Sequence, residues 1–292
     1  MKILRSNHLG MCFGVRDAVT LALGHSESRP ITILGDLVHN ESVLSNLRKR
    51  GVKIERHLSE VQTPAVMITA HGVSQKTVDK ILQRGLTLVD ATCPLVKNSH
   101  QTVAKLVREK FHPVIVGQRD HAEVRGITED LIEFDVILSD EDIFELQERP
   151  RFGVMAQTTQ PINRVRRLVA LLRERFPNSE VGFMDTVCQP TKQRQVAAAE
   201  LSRQCDAVVV IGGTNSNNTR ELVATCSQHC GRVHHVQNAE DMSFEWFQRN
   251  DTVGITAGTS TPDEVIREVE RWLIEWIEFQ NRWVTRMPDA FP

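Results

Sequence analysis

Three short apolar runs in the chain each end at a glycine. The runs cover residues 31–34, 114–116 and 208–211, and the glycines that close them are Gly35, Gly117 and Gly212. Runs of this length, rich in β-branched residues and stopped by glycine, are typical of buried strands. Their recurrence indicates that the chain is built from three repeated units.

Cysteines occupy equivalent positions in the three units. Cys12, Cys93 and Cys188 precede the three glycines by 23, 24 and 24 residues. A second polar motif follows in each unit, at 69–74, 155–160 and 256–261, after another apolar run and before a helical pattern. Pro161 and Pro262 suit the first turn of the helices that follow the last two motifs. We therefore predict that each unit runs cysteine, helix, strand, polar loop, helix, strand, polar loop, helix and strand.

Strands that alternate with helices predict parallel sheets with right-handed crossovers, which bind ligands beyond the carboxyl ends of the strands. The fold class is therefore α/β, with three pseudo-threefold-related lobes whose polar loops and cysteines point to one central site. The alternative is a gene triplication that left repeated structural elements without a shared central site. The predicted boundaries are an N-terminal strand that joins the third lobe (1–12), three α/β lobes (13–93, 94–187 and 188–267) and a C-terminal helix and tail (268–292).

Composition narrows the function classes. The 292 residues carry a formal net charge of −2, which does not favour a nucleic-acid partner. The N-terminus lacks a signal-peptide pattern and no apolar run is long enough to span a membrane, so we expect no membrane partner and a cytoplasmic location. Trp272, Trp276, Phe279 and Trp283 lie at helical spacing and are expected to pack on the third lobe.

Six cysteines in such a chain are thiols or metal ligands rather than a disulfide framework. Three thiolates that meet on a pseudo-threefold axis match three corners of a [4Fe–4S] cluster and leave one iron open. A zinc site with three cysteines and a histidine, or three merely buried cysteines, are the alternatives. The other cysteines, Cys205, Cys226 and Cys230, are expected to pack in the core.

The matched loops carry side chains that suit an anion. His39, His121 and Ser216 follow their cysteines by 27, 28 and 28 residues, and the second loops add His71, Thr158 and Ser260. With backbone amides at helix starts, imidazoles, hydroxyls and amides such as those of Asn217 and Asn218 form a cradle of the kind that diphosphates use. Glu123 is a candidate proton donor because burial raises the pKa of a carboxyl. Its alternative is a surface partner for Arg125.

With these motifs in view, the chain resembles the 4-hydroxy-3-methylbut-2-enyl diphosphate reductases of the non-mevalonate isoprenoid pathway over roughly residues 1–267. The resemblance rests on Gly-Met-Cys-Phe-Gly-Val at 10–15, Val-His-Asn at 38–40, Ala-His-Gly-Val-Ser at 70–74, Asp-Ala-Thr-Cys-Pro at 90–94, His-Ala-Glu-Val at 121–124, Gln-Thr-Thr at 157–159, and Cys188 with Thr191 and Arg194-Gln195.

The resemblance implies that the three cysteines hold the cluster and that the allylic hydroxyl of the substrate binds the open iron. It implies that Glu123 and Thr158 organise and protonate the leaving hydroxyl, and that ferredoxin or flavodoxin supplies electrons. Two electrons and two protons then yield isopentenyl and dimethylallyl diphosphates and water. The implied diphosphate ligands are His39, His71, His121, Ser216, Asn218 and Ser260, with Asn217 able to donate as well.

The chain also departs from the usual pattern of that family. Met11 and Phe13 flank the first cysteine, Pro190 stands where alanine is common, and Asn217 replaces a serine, which implies a paralogue with an altered substrate range. A different cluster-based dehydratase or reductase, of the kind represented by quinolinate synthase, is one alternative function. A carboxylate substrate would favour arginine clamps, which the matched loops lack. A non-enzymatic iron–sulfur redox sensor is the other alternative, and it would not need Glu123.

Overall fold

The computed structural model describes residues 1–26 and 29–286, with the backbone alone for 281–286. The chain forms two compact units, one of Phe13–Lys192 and one of Met1–Cys12 with the residues from Gln193 onward. The described residues contain three parallel four-stranded sheets. The predicted α/β class with parallel sheets is therefore confirmed.

The first sheet has the strand order β3-β2-β4-β5 and lies in the unit of Phe13–Lys192. Its two central strands are fully apolar or nearly so, and Ile31 pairs with Ala65 in parallel register. In chain order the elements up to this point are β1 (Lys2–Arg5), α1 (Phe13–Ser26), β2 (Ile31–Leu34), α2 (Glu41–Lys49), β3 (Lys53–Glu55), β4 (Ala65–Ile68), α3 (Gln75–Gln83) and β5 (Thr87–Asp90).

The second sheet lies in the same unit and repeats this order as β7-β6-β8-β9. Phe152 and Phe176 pack with ring centroids 5.2 Å apart in the core between this sheet and its helices. The elements are α4 (Pro94–Arg108), β6 (His112–Val116), α5 (Ala122–Thr128), β7 (Asp135–Ile137), α6 (Asp140–Glu145), β8 (Arg151–Ala156), α7 (Ile162–Arg175), β9 (Glu180–Phe183) and α8 (Gln189–Ser202).

The third sheet belongs to the other unit and has the order β1-β12-β10-β11, so the N-terminal strand takes the edge beside β12. Its central strand β10 is buried along its whole length. The remaining elements are β10 (Ala207–Ile211), α9 (Asn217–Ser227), β11 (Val233–Val236), β12 (Thr252–Ala257) and α10 (Asp263–Arg286). The lobe boundaries given above stay a prediction.

Several sequence predictions need correction in detail. The strands stopped by glycine are confirmed as β2, β6 and β10, but β3, β7 and β11 were missed because they span only three or four residues at sheet edges. Pro161 and Pro262 each stand directly before the first residue of their helices, α7 and α10, rather than inside the first turn.

The described aromatic residues of α10 differ in burial. Trp276 is buried, as expected, in the apolar core beside the third sheet, and Trp272 packs against that core. Phe279, in contrast, is 53% exposed. The side chain of Trp283 and the predicted tail at 287–292 lie outside the described residues.

Candidate functional site

Glu123 is the buried acid of the second lobe. It lies in the first turn of α5 with 1% of its surface exposed, so the alternative of a surface partner for Arg125 is wrong. Its Oε1 accepts the backbone N–H of Thr158 at 2.7 Å, and its Oε2 accepts the Thr158 hydroxyl at 2.8 Å. Burial raises the pKa of Glu123 to about 7, although both hydrogen bonds from Thr158 oppose the rise. Glu123 can therefore hold or release a proton at neutral pH.

Three imidazoles pack against one another in the same unit. The ring centroids of His39 and His71 are 4.4 Å apart, and the ring of His121 lies 5.1 and 5.4 Å from them. Burial lowers the pKa of His71 well below its usual value, and the neighbouring imidazoles of His39 and His121 lower it further. His71 is therefore neutral at pH 7, and an anion bound nearby would stabilise its charged form.

These three rings are also a candidate metal site by proximity. One ring nitrogen from each lies within 4.8 Å of the other two. However, Nδ1 of His121 accepts the backbone N–H of Glu123 at 3.1 Å, so the proton of the neutral ring is assigned to Nε2. An Nε2–H donor suits an anion, whereas a metal requires a bare ring nitrogen. The hydrogen bond therefore favours an anion as the ligand of this cluster.

Two of the three candidate ligand cysteines lie in this unit, each at the start of a helix. Cys93 is the residue before the first turn of α4, and Cys188 directly precedes α8. The backbone N–H of Cys93 donates to Ala70 O at 3.1 Å, and that of Cys188 donates to Thr158 O at 3.0 Å. Both side chains are half-buried, and Cys188 Sγ lies 3.1 Å from the Thr191 hydroxyl. Each cysteine is thus fixed against a second polar loop.

Gln157 was quoted as part of a motif but was given no role in the sequence analysis. Its buried side chain accepts the backbone N–H of Gln118 at 3.0 Å through Oε1 and donates to the Thr159 hydroxyl at 3.1 Å. Gln157 therefore ties the first polar loop of the second lobe to the second. In the sequence, Gln157 is marked only by its position in the second motif, which is the position that His71 and Gly258 hold in the other two units.

The other unit holds the remaining candidates: Cys12, Ser216, Asn217, Asn218 and Ser260. The Cys12 backbone N–H donates to Thr259 O at 3.0 Å, as Cys188 does to Thr158. Ser216 is the N-cap of α9, and Asn217, Asn218 and Ser260 are buried. The Nδ2 of Asn218 is a buried donor without a hydrogen-bond partner among the described residues, which is a feature of a polar site that awaits a ligand.

The second and third lobes share one local arrangement. Asn218 Oδ1 accepts the backbone N–H of Thr259 at 3.0 Å, as Glu123 Oε1 accepts that of Thr158. Glu123 and Asn218 follow their cysteines at the same distance in sequence. The same position is therefore an acid in one lobe and an amide, which has no acidic proton, in the other.

The helix caps refine the register of the first polar loops. His121 and Ser216 are the N-caps of α5 and α9, and the N-cap of α2 is Asn40, whose side chain accepts the Val43 N–H at 3.3 Å. His39 lies one residue earlier. The equivalent of His121 in the first lobe is thus Asn40, and His39 approaches the other imidazoles from a neighbouring position.

Comparison with known proteins identifies the family of this chain. A model of the family described as LytB protein matches residues 3–274. The chain belongs to the LytB family. Membership confirms the family and the oxidoreductase class predicted from the sequence, and an iron–sulfur cofactor is consistent with it. Among helices in residues 1–26 and 29–286, none has the length and apolar content needed to cross a bilayer.

LytB relatives cover nearly the whole chain. The 4-hydroxy-3-methylbut-2-enyl diphosphate reductase of Trichlorobacter lovleyi is 37% identical over 271 residues, which cover 92% of this chain and 96% of that protein. The enzyme of the same name from Geobacter sulfurreducens is 35% identical and covers 97% and 99%.

Solved structures that resemble this chain include two reductases. A structure of (E)-4-hydroxy-3-methyl-but-2-enyl diphosphate reductase, described as the terminal enzyme of the non-mevalonate pathway, is 33% identical with a TM-score of 0.68 and covers 94% of this chain and 99% of that one. The Plasmodium falciparum E-1-hydroxy-2-methyl-but-2-enyl-4-diphosphate reductase has a TM-score of 0.85 at 24% identity, covers 93% and 87%, and supports the fold alone.

Proposed function

We propose that this chain reduces (E)-4-hydroxy-3-methylbut-2-enyl diphosphate to isopentenyl and dimethylallyl diphosphates. The observation that carries the proposal is the buried Glu123, whose pKa is raised to about 7, beside a cluster of three imidazoles. The first feature suits delivery of a proton to a poor leaving group, and the second suits an anion. The substrate in the names of the relatives has both a hydroxyl that must leave and a diphosphate that must be bound.

Cys12, Cys93 and Cys188 are proposed to hold one [4Fe–4S] cluster. The donor set fits, because thiolates are the usual ligands of such clusters and each cysteine stands at the start of a helix, where the dipole favours a thiolate. Gly14 supports the assignment, because only a residue without a side chain leaves room there for the Cys93 thiol. A Cβ added to Gly14 would lie 2.5 Å from Cys93 Sγ. When bound, the cluster supplies electrons one at a time and an open iron that acts as a Lewis acid.

The other cysteines do not suit this role. Cys226 and Cys230 are buried in the apolar core of the third lobe, with Cys205 packed against it. Burial raises the pKa of both Cys205 and Cys226 to about 11, so these thiols stay protonated at neutral pH. They serve as controls for the ligand assignment.

The diphosphate is proposed to bind His39, His71 and His121 together with Ser216, Asn217, Asn218 and Ser260. Imidazole N–H groups and the Nδ2 of Asn218 are donors, which phosphate oxygens accept. Burial and the neighbouring rings of His39 and His121 disfavour the charged form of His71 in the free protein, so a bound diphosphate is expected to favour that form, with the proton taken up from solvent.

Glu123 is proposed to donate the proton that lets the allylic hydroxyl leave as water. Thr158 keeps the carboxyl in place through two hydrogen bonds, and its hydroxyl can turn toward the substrate. The C–O bond breaks with its electron pair on the oxygen, and one proton completes the water. The second proton and the two electrons form the new C–H bond, while the double bond of the substrate keeps its place in dimethylallyl diphosphate or shifts in isopentenyl diphosphate. A ferredoxin or flavodoxin is the proposed source of the electrons.

Iron and sulfide contents of anaerobically purified protein test the cofactor assignment. Cys12→Ser, Cys93→Ser and Cys188→Ser are each expected to lose most of the iron, because a cubane held by two thiolates is easily lost. Cys226→Ser is the matched control and is expected to keep its iron. Full iron in the Cys93→Ser protein, or equal loss in the control, would contradict the assignment.

A further inference from the structure

The carboxylate of Asp130 caps a helix that it does not belong to. Asp130 lies just beyond α5, yet its Oδ2 accepts the Gln75 N–H at 2.6 Å and its Oδ1 accepts the Lys76 N–H at 3.1 Å. These are first-turn amides of α3, which cannot find partners inside their own helix. The next amide, of Thr77, donates to the side chain of the N-cap Ser74 at 3.1 Å. The first backbone N–H groups of α3 therefore find two kinds of acceptor. One is the side chain of its own N-cap, Ser74, and the other is Asp130, which follows α5.

Glu129, the neighbour of Asp130, completes the connection. Its Oε2 accepts the Ser74 hydroxyl at 2.5 Å and lies 3.4 Å from the Thr77 hydroxyl. The Lys76 ammonium donates to the backbone carbonyl of Glu129 at 2.6 Å. Two negative charges thus stand at the N-terminus of α3, where the helix dipole favours them. We name these contacts of Glu129 and Asp130 with residues 74–77 the α5–α3 latch.

The latch joins the two segments that carry the candidate site. His121 and Glu123 lie at the beginning of α5, and Glu129 and Asp130 follow its end. On the other side, only two residues separate His71 from Ser74. The seven-residue α5 therefore spans directly from the buried acid to the loop that carries a second imidazole.

Close packing between these segments leaves little room for an independent movement. A Cβ added to Gly126 of α5 would lie 3.3 Å from Val73 Cα and 3.4 Å from Gly72 O. The rings of His71 and His121 are 5.4 Å apart at its other end. The latch and this backbone contact both bear on residues 72–77, the segment that directly follows His71.

We propose that Asp130 and Glu129 are positioning residues that hold the His71 loop in register with His121 and Glu123 for binding of the diphosphate. The proposal rests on the proposed function for the identity of the anion. Both residues bind the start of α3, so their effect on the imidazoles passes through that segment. The expected signature is a weaker diphosphate affinity with a smaller change in kcat, because ground-state positioning of the phosphate is what the latch controls.

A role in stability alone is the competing explanation, and the chain offers a control for it. Asp142 in α6 accepts the backbone N–H groups of Leu138 and Ser139 at 2.6 and 2.8 Å, which resembles the Asp130 contacts in kind and length. Asp142 lies in the same unit but borders no candidate site residue. Asp142→Ala removes a comparable cap without touching the α5–α3 latch.

The test compares Asp130→Ala, Asp130→Asn and Asp142→Ala in the cluster-loaded protein. Amide hydrogen exchange of residues 70–77 reports the loop, and titration with the allylic diphosphate reports affinity. Asp130→Ala is expected to speed exchange in 70–77 and to raise the Kd about three- to thirtyfold, the factor that corresponds to the loss of a cap. Asp130→Asn keeps one acceptor and is expected to restore part of the affinity. Asp142→Ala is expected to change neither quantity.

Two results for Asp130→Ala would overturn the positioning role. One is unchanged amide exchange in residues 70–77, and the other is an unchanged Kd for the diphosphate despite faster exchange. An equal rise of the Kd in Asp142→Ala would overturn it as well, because the effect would then be general destabilisation. If the wild-type protein binds no diphosphate, the proposed function fails, and the exchange measurement alone decides whether the latch holds the loop.

Discussion

The Glu123 carboxylate binds Thr158 twice, once through the backbone N–H and once through the hydroxyl, at 2.7 and 2.8 Å. The two residues come from different polar loops, so the pair fixes the acid relative to the loop that also anchors Cys188. Both oxygens face donors, which keeps the pKa from rising further than about 7 in a site with 1% exposure. This balance leaves Glu123 able to give up a proton at neutral pH.

Replacing Glu123 by glutamine tests its role as the acid. Glu123→Gln keeps the size of the side chain and one acceptor for Thr158 but has no acidic proton. We expect normal iron content, near-normal diphosphate affinity and a kcat at least about a hundredfold lower, because a positioned acid contributes roughly 10²–10⁴ in rate. Turnover with excess chemical reductant measures this. A kcat within about threefold of wild type would remove Glu123 from the mechanism.

The pH profile tests the raised pKa. Because the acid must be protonated to act, we expect kcat to be highest below about pH 7 and to fall as the pH rises through that value. Thr158→Val removes one hydrogen bond that lowers the pKa of Glu123, so its midpoint is expected to lie roughly 0.5–1 pH unit higher. A midpoint that stays in place in Thr158→Val, or moves down, would contradict the coupling between the two residues.

The three imidazoles are expected to determine diphosphate affinity. His39→Ala and His71→Ala should each weaken binding by about 1.5–3 kcal/mol if each donates a charge-assisted hydrogen bond. Direct titration of the cluster-loaded variants with the allylic diphosphate measures the loss. His57 is exposed and lies in the same unit, so His57→Ala is the control and should bind normally. Unchanged affinity in both site variants would exclude the phosphate role.

Proton uptake tests the electrostatics of the same cluster. The lowered pKa of His71 means that its ring is neutral in the free protein at pH 7, and a bound diphosphate stabilises the charged form. Binding is therefore expected to take up protons and to tighten as the pH falls from about 8 to 6. Calorimetry in buffers of different ionisation enthalpy measures the uptake, which should shrink in His71→Ala. Proton release on binding would contradict this account.

The sequence predicted the repeated central strands better than the strands at the edges of the sheets. Glycines at 35, 117 and 212 marked β2, β6 and β10, because each of these strands contains a run of mostly aliphatic residues that leads directly to the glycine. The edge strand β3 is Lys-Ile-Glu, which has no apolar run to detect. Edge strands of three or four residues are stabilised by their neighbours in the sheet, and that contact is not visible in the local sequence.

The candidate site was predicted as a set of loops but not as a set of contacts. The neighbouring His121 placed Glu123 in the first polar loop, and the repeated second motif placed Thr158 in the second, yet the pairing of residues 35 positions apart depends on how the loops meet. The same limit hid Asp130, which caps a helix 54 and 55 residues away. The matching of His39 with His121 was one residue out of register, because Asn40, not His39, is the N-cap.

The most direct test of the central claim is product analysis after anaerobic turnover. Cluster-loaded protein is incubated with (E)-4-hydroxy-3-methylbut-2-enyl diphosphate and a chemical reductant, with the Cys93→Ser protein as control. The proposed function predicts isopentenyl and dimethylallyl diphosphates from the wild-type protein, two electrons consumed for each molecule formed, and no product from Cys93→Ser. Intact substrate after many equivalents of reductant, in protein with full iron and sulfide content, would contradict it.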